Sequence, residues 1–206
     1  MSEARHLYGK RDAMGYQMPY EGTASTTVWN IKAPLSCGMS DVPYGNNYVA
    51  INQLAFGTNE DAFNHASGGA GGACGACFEL TPVKDGKARP NQKATFMVVE
   101  NCPANPSRSD GHTLCSACET GDKNDLGETW HFDILKDHMS SSAVEKFFDQ
   151  ADHDEQQWDQ VQFKKLTACD GVEQPEFKGN NCPDGKTCHN SKTDRVCDGL
   201  DWMRKK

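Results

Sequence analysis

Apolar and polar residues alternate along several short stretches of this chain. In TWHFDIL (129–135), Trp130, Phe132 and Ile134 fall on one face of an extended strand, and His131, Asp133 and Leu135 fall on the other. STTVWNI (25–31), ACFELTPV (76–83), KATFMVVENC (93–102) and VQFKKLTAC (161–169) are rich in β-branched and aromatic residues and also read as strands. Helical spacing is rarer. Tyr48, Ile51 and Ala55 recur at i, i+3 and i+7 between Gly45 and Gly57, which predicts a short helix. SAVEKFF (142–148) predicts a second. Many short strands, few helices and Gly/Pro/Asn turns predict a mainly β protein closed into a barrel.

The pattern is confined to the middle of the chain. Residues 1–22 lack periodicity and read as an N-terminal extension, and residues 23–170 carry the strands. Residues 171–206 are polar and contain Cys182, Cys188 and Cys197 without strand patterning, so they read as a stapled C-terminal tail. A length of 206 residues suits one domain of roughly 150 residues with appendages.

Ten cysteines are more than a core of this size needs for folding. They point to a disulfide framework in an oxidising compartment, hence to a secreted protein. Cys74-x-x-Cys77 and Cys115-x-x-Cys118 could hold zinc, but zinc ribbons separate such pairs by about 15–20 residues, roughly half the gap here. Disulfides are the expectation, with their connectivity open, and neither a metal nor a cofactor is expected. The opening MSEARHLYGKR has no apolar segment, so a secretory leader is expected to have been removed. Nothing approaches 18 consecutive apolar residues, so no membrane span is expected.

A formal net charge of −8 repels nucleic-acid phosphates and anionic membranes and leaves neutral polymers unaffected. The glycine-rich HASGGAGGACGAC (65–77) could be a phosphate cradle, but no Lys-Ser/Thr follows it and no helix opens there. Close packing of backbones around a disulfide is the better reading.

Asp133 is the conspicuous residue. A carboxylate in the middle of a strand must be paired, protonated or turned toward an open groove. Other acids stand near it in the expected fold: Asp125 in the loop GDKNDLGE, Glu100 at the end of the preceding strand, and Asp110 in a turn-rich connection. Trp29, Trp130, Tyr44 and Tyr48 supply flat apolar faces. Carboxylates beside aromatic platforms suit a neutral sugar polymer, because rings stack on pyranose faces and acids act on the glycosidic oxygen.

CGACFEL (74–80), FMVVENCP (96–103), Cys115 and DLGETWHFD (125–133), in that order, resemble the glycoside hydrolase family 45 endoglucanases, and equally the first domain of the expansins. The resemblance covers about residues 25–170 and implies a six-stranded double-ψ β-barrel with short helices and long disulfide-stapled loops. It implies that Asp133 is the general acid and Asp125 an auxiliary carboxylate. The base position of the family falls on Asn30, where this chain has TTVWN in place of a segment ending in aspartate. An amide does not take a proton from water as a carboxylate does, so Asn30, Asp110 and Glu100 acting through water share the expectation. Trp29, Trp130, His131, Glu100 and Asp110 are the expected substrate contacts.

The function implied is a secreted, monomeric endo-β-1,4-glucanase that hydrolyses cellulose or a related β-glucan with inversion. The alternative is a non-hydrolytic, expansin-like protein that binds glucan and loosens walls. A third possibility is an inhibitor or effector module of the same fold.

Overall fold

The computed structural model describes residues 20–30, 35, 42–52, 55, 75–102, 114–115 and 123–173. The strands are β1 (Glu21–Val28), β2 (Tyr48–Asn52), β3 (Cys77–Lys84), β4 (Lys87–Ala88), β5 (Ala94–Cys102), β6 (Trp130–Ile134) and β7 (Trp158–Leu166). They form one sheet in the order β4-β3-β5-β2-β6-β1-β7, and β3 also pairs with β7. That last pairing closes six strands into a barrel, with β4 appended to β3 by a hairpin. The hairpin turns at Asp85-Gly86, both with positive φ (52° and 71°), as the two-residue turn that matches strand twist requires.

Two pairs in the barrel are parallel, β1 with β6 and β2 with β5, and the rest are antiparallel. This is the double-ψ arrangement that the resemblance implies. Parallel neighbours need long crossovers, which is why β1 and β6 meet although about a hundred residues separate them.

The alternation read in the sequence puts Phe132 and Ile134 in the core, both fully buried. Phe132, Phe78 and Phe163 meet edge-to-face with centroids 5.3–6.1 Å apart, and they fill the barrel centre. Gly22 lies opposite Phe163, and a Cβ there would stand 2.9 Å from the ring, so glycine is what lets β1 approach β7. A helix, α1 (Ser141–Phe147), starts where the Ser140 hydroxyl accepts from the Ala143 N–H at 3.3 Å, and it ends by burying Phe147 against Phe96. The fully buried Trp158 donates its indole N–H to the Phe147 carbonyl at 3.0 Å, tying α1 to β7.

The helix expected around Tyr48 is replaced by strand β2. All five of its residues are buried, and it lies between β5 and β6. A strand covered on both faces has no alternation to reveal it, and Tyr, Val and Ile favour extended backbone. Tyr48 is therefore a core residue and not a sugar platform. Its hydroxyl donates to the Glu173 carbonyl at 2.9 Å. β1 takes in Glu21 and Gly22, the last two residues of the stretch read as an extension.

Two disulfides join described cysteines: Cys77–Cys169 and Cys102–Cys115. Each CxxC thus sends its described member to a distant partner. The first bond lies at the end of the β3–β7 seam, where Cys77 pairs with Leu166.

Candidate active site

Parallel pairing of β1 and β6 sets Ser25 opposite His131 and Thr27 opposite Asp133. Residues two apart on a strand share a face, so four polar side chains form one cluster. Ser25 Oγ lies 2.8 Å from His131 Nδ1, and Thr27 Oγ1 lies 3.0 Å from His131 Nε2. The Thr27 hydroxyl also donates to Asp133 Oδ1. At the far end, the Asn124 side-chain amide donates to Ser25 Oγ at 2.8 Å and to the Leu114 carbonyl at 3.0 Å.

The direction of this chain is fixed at both ends. Asn124 Oδ1 accepts the backbone N–H groups of Leu126 (3.0 Å) and Glu128 (3.1 Å), so its nitrogen must face Ser25. Asp133 Oδ1 accepts whether the group is ionised or carries its proton on Oδ2, so Thr27 donates to it. Between them, Ser25 donates to Nδ1 and Nε2–H donates to Thr27, which assigns the imidazole its neutral Nε2–H tautomer. Burial agrees. His131 has no exposed surface, and desolvation pushes its pKa below the ordinary value despite the opposing pull of Asp133, 4.0 Å away. Each link from Asn124 through Ser25, His131 and Thr27 therefore donates toward Asp133.

Asp133 itself is partly open, its side chain 18% exposed. Its second oxygen, Oδ2, lies 3.4 Å from Cys102 Sγ, and a disulfide sulfur has no hydrogen to donate. One ligand-type atom from each of Cys102, Cys115, His131 and Asp133 lies within 4.8 Å of the others. The grouping looks like a metal set, yet thiolate is the ligand form of cysteine and these two sulfurs are bonded to each other.

A second carboxyl shares the row. Ala50 of β2 stands opposite Asp133 on one side and Glu100 of β5 on the other. A register shift there pairs Val49 with Val98 but Ala50 with Glu100. Bulges of this kind re-aim side chains. The backbones of Glu100 and Asp133 are thus two strand spacings apart, about 10 Å. Glu100 is 7% exposed.

The remaining expected residues scatter around this row. Trp29 is half-buried against the core and donates its backbone N–H to Ile134 at 2.9 Å, beside the Asp133 end of β6. Tyr44, in the turn before β2, is 70% exposed and tilted against His138 of the turn that follows β6, with centroids 6.5 Å apart. Two aromatics therefore flank the same end of the barrel. Asn30 is exposed just beyond β1, and Trp130 is half-buried at the start of β6. Asp125 is exposed in its turn. Asp110 lies outside the described residues.

The loop that carries Asp125 is anchored to the barrel. The Asn124 side chain makes four hydrogen bonds, and Glu128 accepts from Thr23 (2.7 Å) and Gln160 (2.8 Å). Sequence reading missed Ser25, Thr27 and Asn124. The only signal for the first two was their spacing of two within a strand.

Residues 22–171 match the EXPB1-like domain 1 family, and the chain belongs to that family. Among solved structures, the GH45 endoglucanase EG27II in complex with cellobiose is 22% identical, with a TM-score of 0.45, over 77% of this chain and 87% of that one. The β-1,4-D-endoglucanase Cel45A from the blue mussel Mytilus edulis is 20% identical, with a TM-score of 0.46, over 87% and 92% of the two chains. The Streptomyces papain inhibitor is 16% identical, with a TM-score of 0.39, over 71% and 94%. No curated protein sequence matches the chain. Similarity this low carries no argument about activity. No helix among the described residues is long and apolar enough to cross a membrane.

Proposed function

We propose that this protein is a secreted, monomeric endo-β-1,4-glucanase in which Asp133 is the general acid of an inverting hydrolysis. The supporting observation is the one-way hydrogen-bond chain from Asn124 through Ser25, His131 and Thr27 to Asp133. Donors aimed at a group that gains negative charge in the transition state are what an acid needs when its proton leaves.

A glucan lies across the end of the barrel, stacked on Trp29 and Tyr44. Asp133 gives a proton from Oδ2 to the glycosidic oxygen while Thr27 holds Oδ1. Water attacks the opposite sugar face, and a base takes its proton. Inversion requires about 6.5–9.5 Å between the two groups. Glu100 fits best, because it shares the row with Asp133 and one methyl group separates the two. Asn30 and Asp110 are the other candidates. Asp125 assists from the loop as an auxiliary carboxylate. His131, being enclosed, acts through Thr27 and not by touching sugar. Trp130 extends the platform. Residues 23–170, together with Glu21 and Gly22 of β1, form the catalytic domain, flanked by the rest of the extension and the tail 171–206.

Family membership favours a second reading, a glucan-binding, wall-loosening protein that does not cut. Asn30 in the expected base position is consistent with it. Incubation with carboxymethyl cellulose or barley β-glucan separates the two. New reducing ends, born with inverted configuration by proton NMR, support the hydrolase. Binding with no new ends supports the second reading.

A further inference from the structure

We propose that the Cys102–Cys115 disulfide is a positioning element of the Asp133 site, and that reducing it switches the site off while the barrel stays folded. The inference rests on Asp133 being the acid of the proposed hydrolysis.

The bond touches the site at both ends of the hydrogen-bond chain. At the acid end, Cys102 Sγ sits 3.4 Å from Asp133 Oδ2. As half of a disulfide it occupies that side of the carboxyl without offering a proton, and Oδ2 stays available to carry the acidic hydrogen. At the other end, the neighbour of Cys115 is Leu114, whose carbonyl accepts one of the two Asn124 amide hydrogens at 3.0 Å. The second amide hydrogen goes to Ser25. The staple thereby holds the carbonyl that takes one Asn124 amide hydrogen and leaves the other for Ser25, while Leu126 and Glu128 hold Oδ1. Cys102 also ends β5 two residues after Glu100.

Barrel closure does not depend on this bond. The β3–β7 pairing closes the sheet, and Cys77–Cys169 clamps that seam. Cys102–Cys115 closes a loop of only 13 positions. Its chemistry with a dithiol reductant balances simply. A reductant thiolate attacks one sulfur to give a mixed disulfide, then its second thiol displaces the cysteine. Two electrons pass from the dithiol, which becomes a cyclic disulfide, and two cysteine thiols form. Cys102 then carries an S–H, a weak donor in reach of Oδ2. The oxygen that held the acidic proton now accepts one, and Leu114 is released from beneath Asn124.

The test compares the full chain with C102A/C115A, which removes the staple, and C102S/C115S, which adds a hydroxyl donor beside Oδ2. On soluble β-1,4-glucan, kcat should fall at least tenfold in the alanine pair and further in the serine pair, with KM within twofold. The nitrogen-15 spectrum of His131 should show a protected Nε2–H in the parent that exchanges faster in both variants. A kcat within twofold of the parent in both overturns the proposal. A parent that releases no reducing ends refutes the hydrolytic reading instead, and unchanged His131 protection in the alanine pair then overturns the positioning role separately. Should a variant fail to fold, dithiothreitol titration of the parent, with alkylation and mass mapping to find the stage at which Cys77–Cys169 is intact, gives the same comparison.

Discussion

Thr27 and Asp133 face each other across the parallel pair β1/β6, and the Thr27 hydroxyl donates to the Asp133 carboxyl. The same hydroxyl oxygen accepts from His131 Nε2, so one atom joins the enclosed imidazole to the open acid. Replacing it should be felt in turnover and not in binding. Thr27→Val keeps the shape and removes the donor. We expect kcat on soluble β-glucan to fall 10- to 100-fold, about 1.4–2.7 kcal/mol, with KM unchanged, and Thr27→Ser to restore most of it. Equal kcat in the valine and serine variants would remove Thr27 from the mechanism.

His131 makes stability depend on pH in a definite direction. Burial lowers its folded-state pKa beneath the ordinary value near 6.5. As pH falls through that value, the unfolded chain binds a proton that the folded one refuses. Stability is therefore full above about pH 6.5 and declines below it, by at most about 1.4 kcal/mol per pH unit, until the depressed folded pKa is reached. Urea denaturation at pH 7.5 and pH 5 should show the decline in the parent. In His131→Gln, which keeps polar contacts without titrating there, the slope over that window should be shallower.

Phe132 adjoins both His131 and Asp133 in sequence and points the other way, into the ring cluster with Phe78 and Phe163. Phe132→Ala should lose about 3–5 kcal/mol of stability through the cavity it leaves. Chemical denaturation checks this, and a loss under 1 kcal/mol would mean that the barrel centre refills around the gap.

Cys77–Cys169 closes a loop of 92 positions at the end of the barrel seam. Chain-entropy reasoning gives about 4–5 kcal/mol for a loop of that length, and measured losses for native disulfides run about 2–5 kcal/mol. C77S/C169S should lose stability in that range by denaturant titration. At 25 °C, whatever fraction remains folded should turn over at the parental rate, in contrast to the Cys102–Cys115 pair.

The barrel was largely legible from the sequence, and its reacting centre only partly so. WHFDI announces itself because one face of β6 is core and the other is polar, and Asp133 stands out against that alternation. β2 was hidden because both its faces are buried, which erases the period, while Tyr48, Ile51 and Ala55 by chance keep helical spacing. Ser25 and Thr27 look like ordinary strand residues. Their chemistry exists only because β1 lies parallel to β6, the paired side chains standing 106 positions apart in sequence, a relation that no local window contains. Asn124 was overlooked for its neighbour Asp125, since the more strongly charged residue drew the attention while the amide does the tying. The pairing of Glu100 with Ala50 depends on a bulge, and one residue of slip decides which side chain joins the row.

Replacing the carboxyl of Asp133 by an amide of the same shape is the most direct measurement. Reducing ends released from soluble β-1,4-glucan should be plentiful with the parent protein and lower by at least a thousandfold with Asp133→Asn, while both bind cello-oligosaccharide with similar affinity. Undiminished release by Asp133→Asn, or no release by the parent, would contradict an acid at this position.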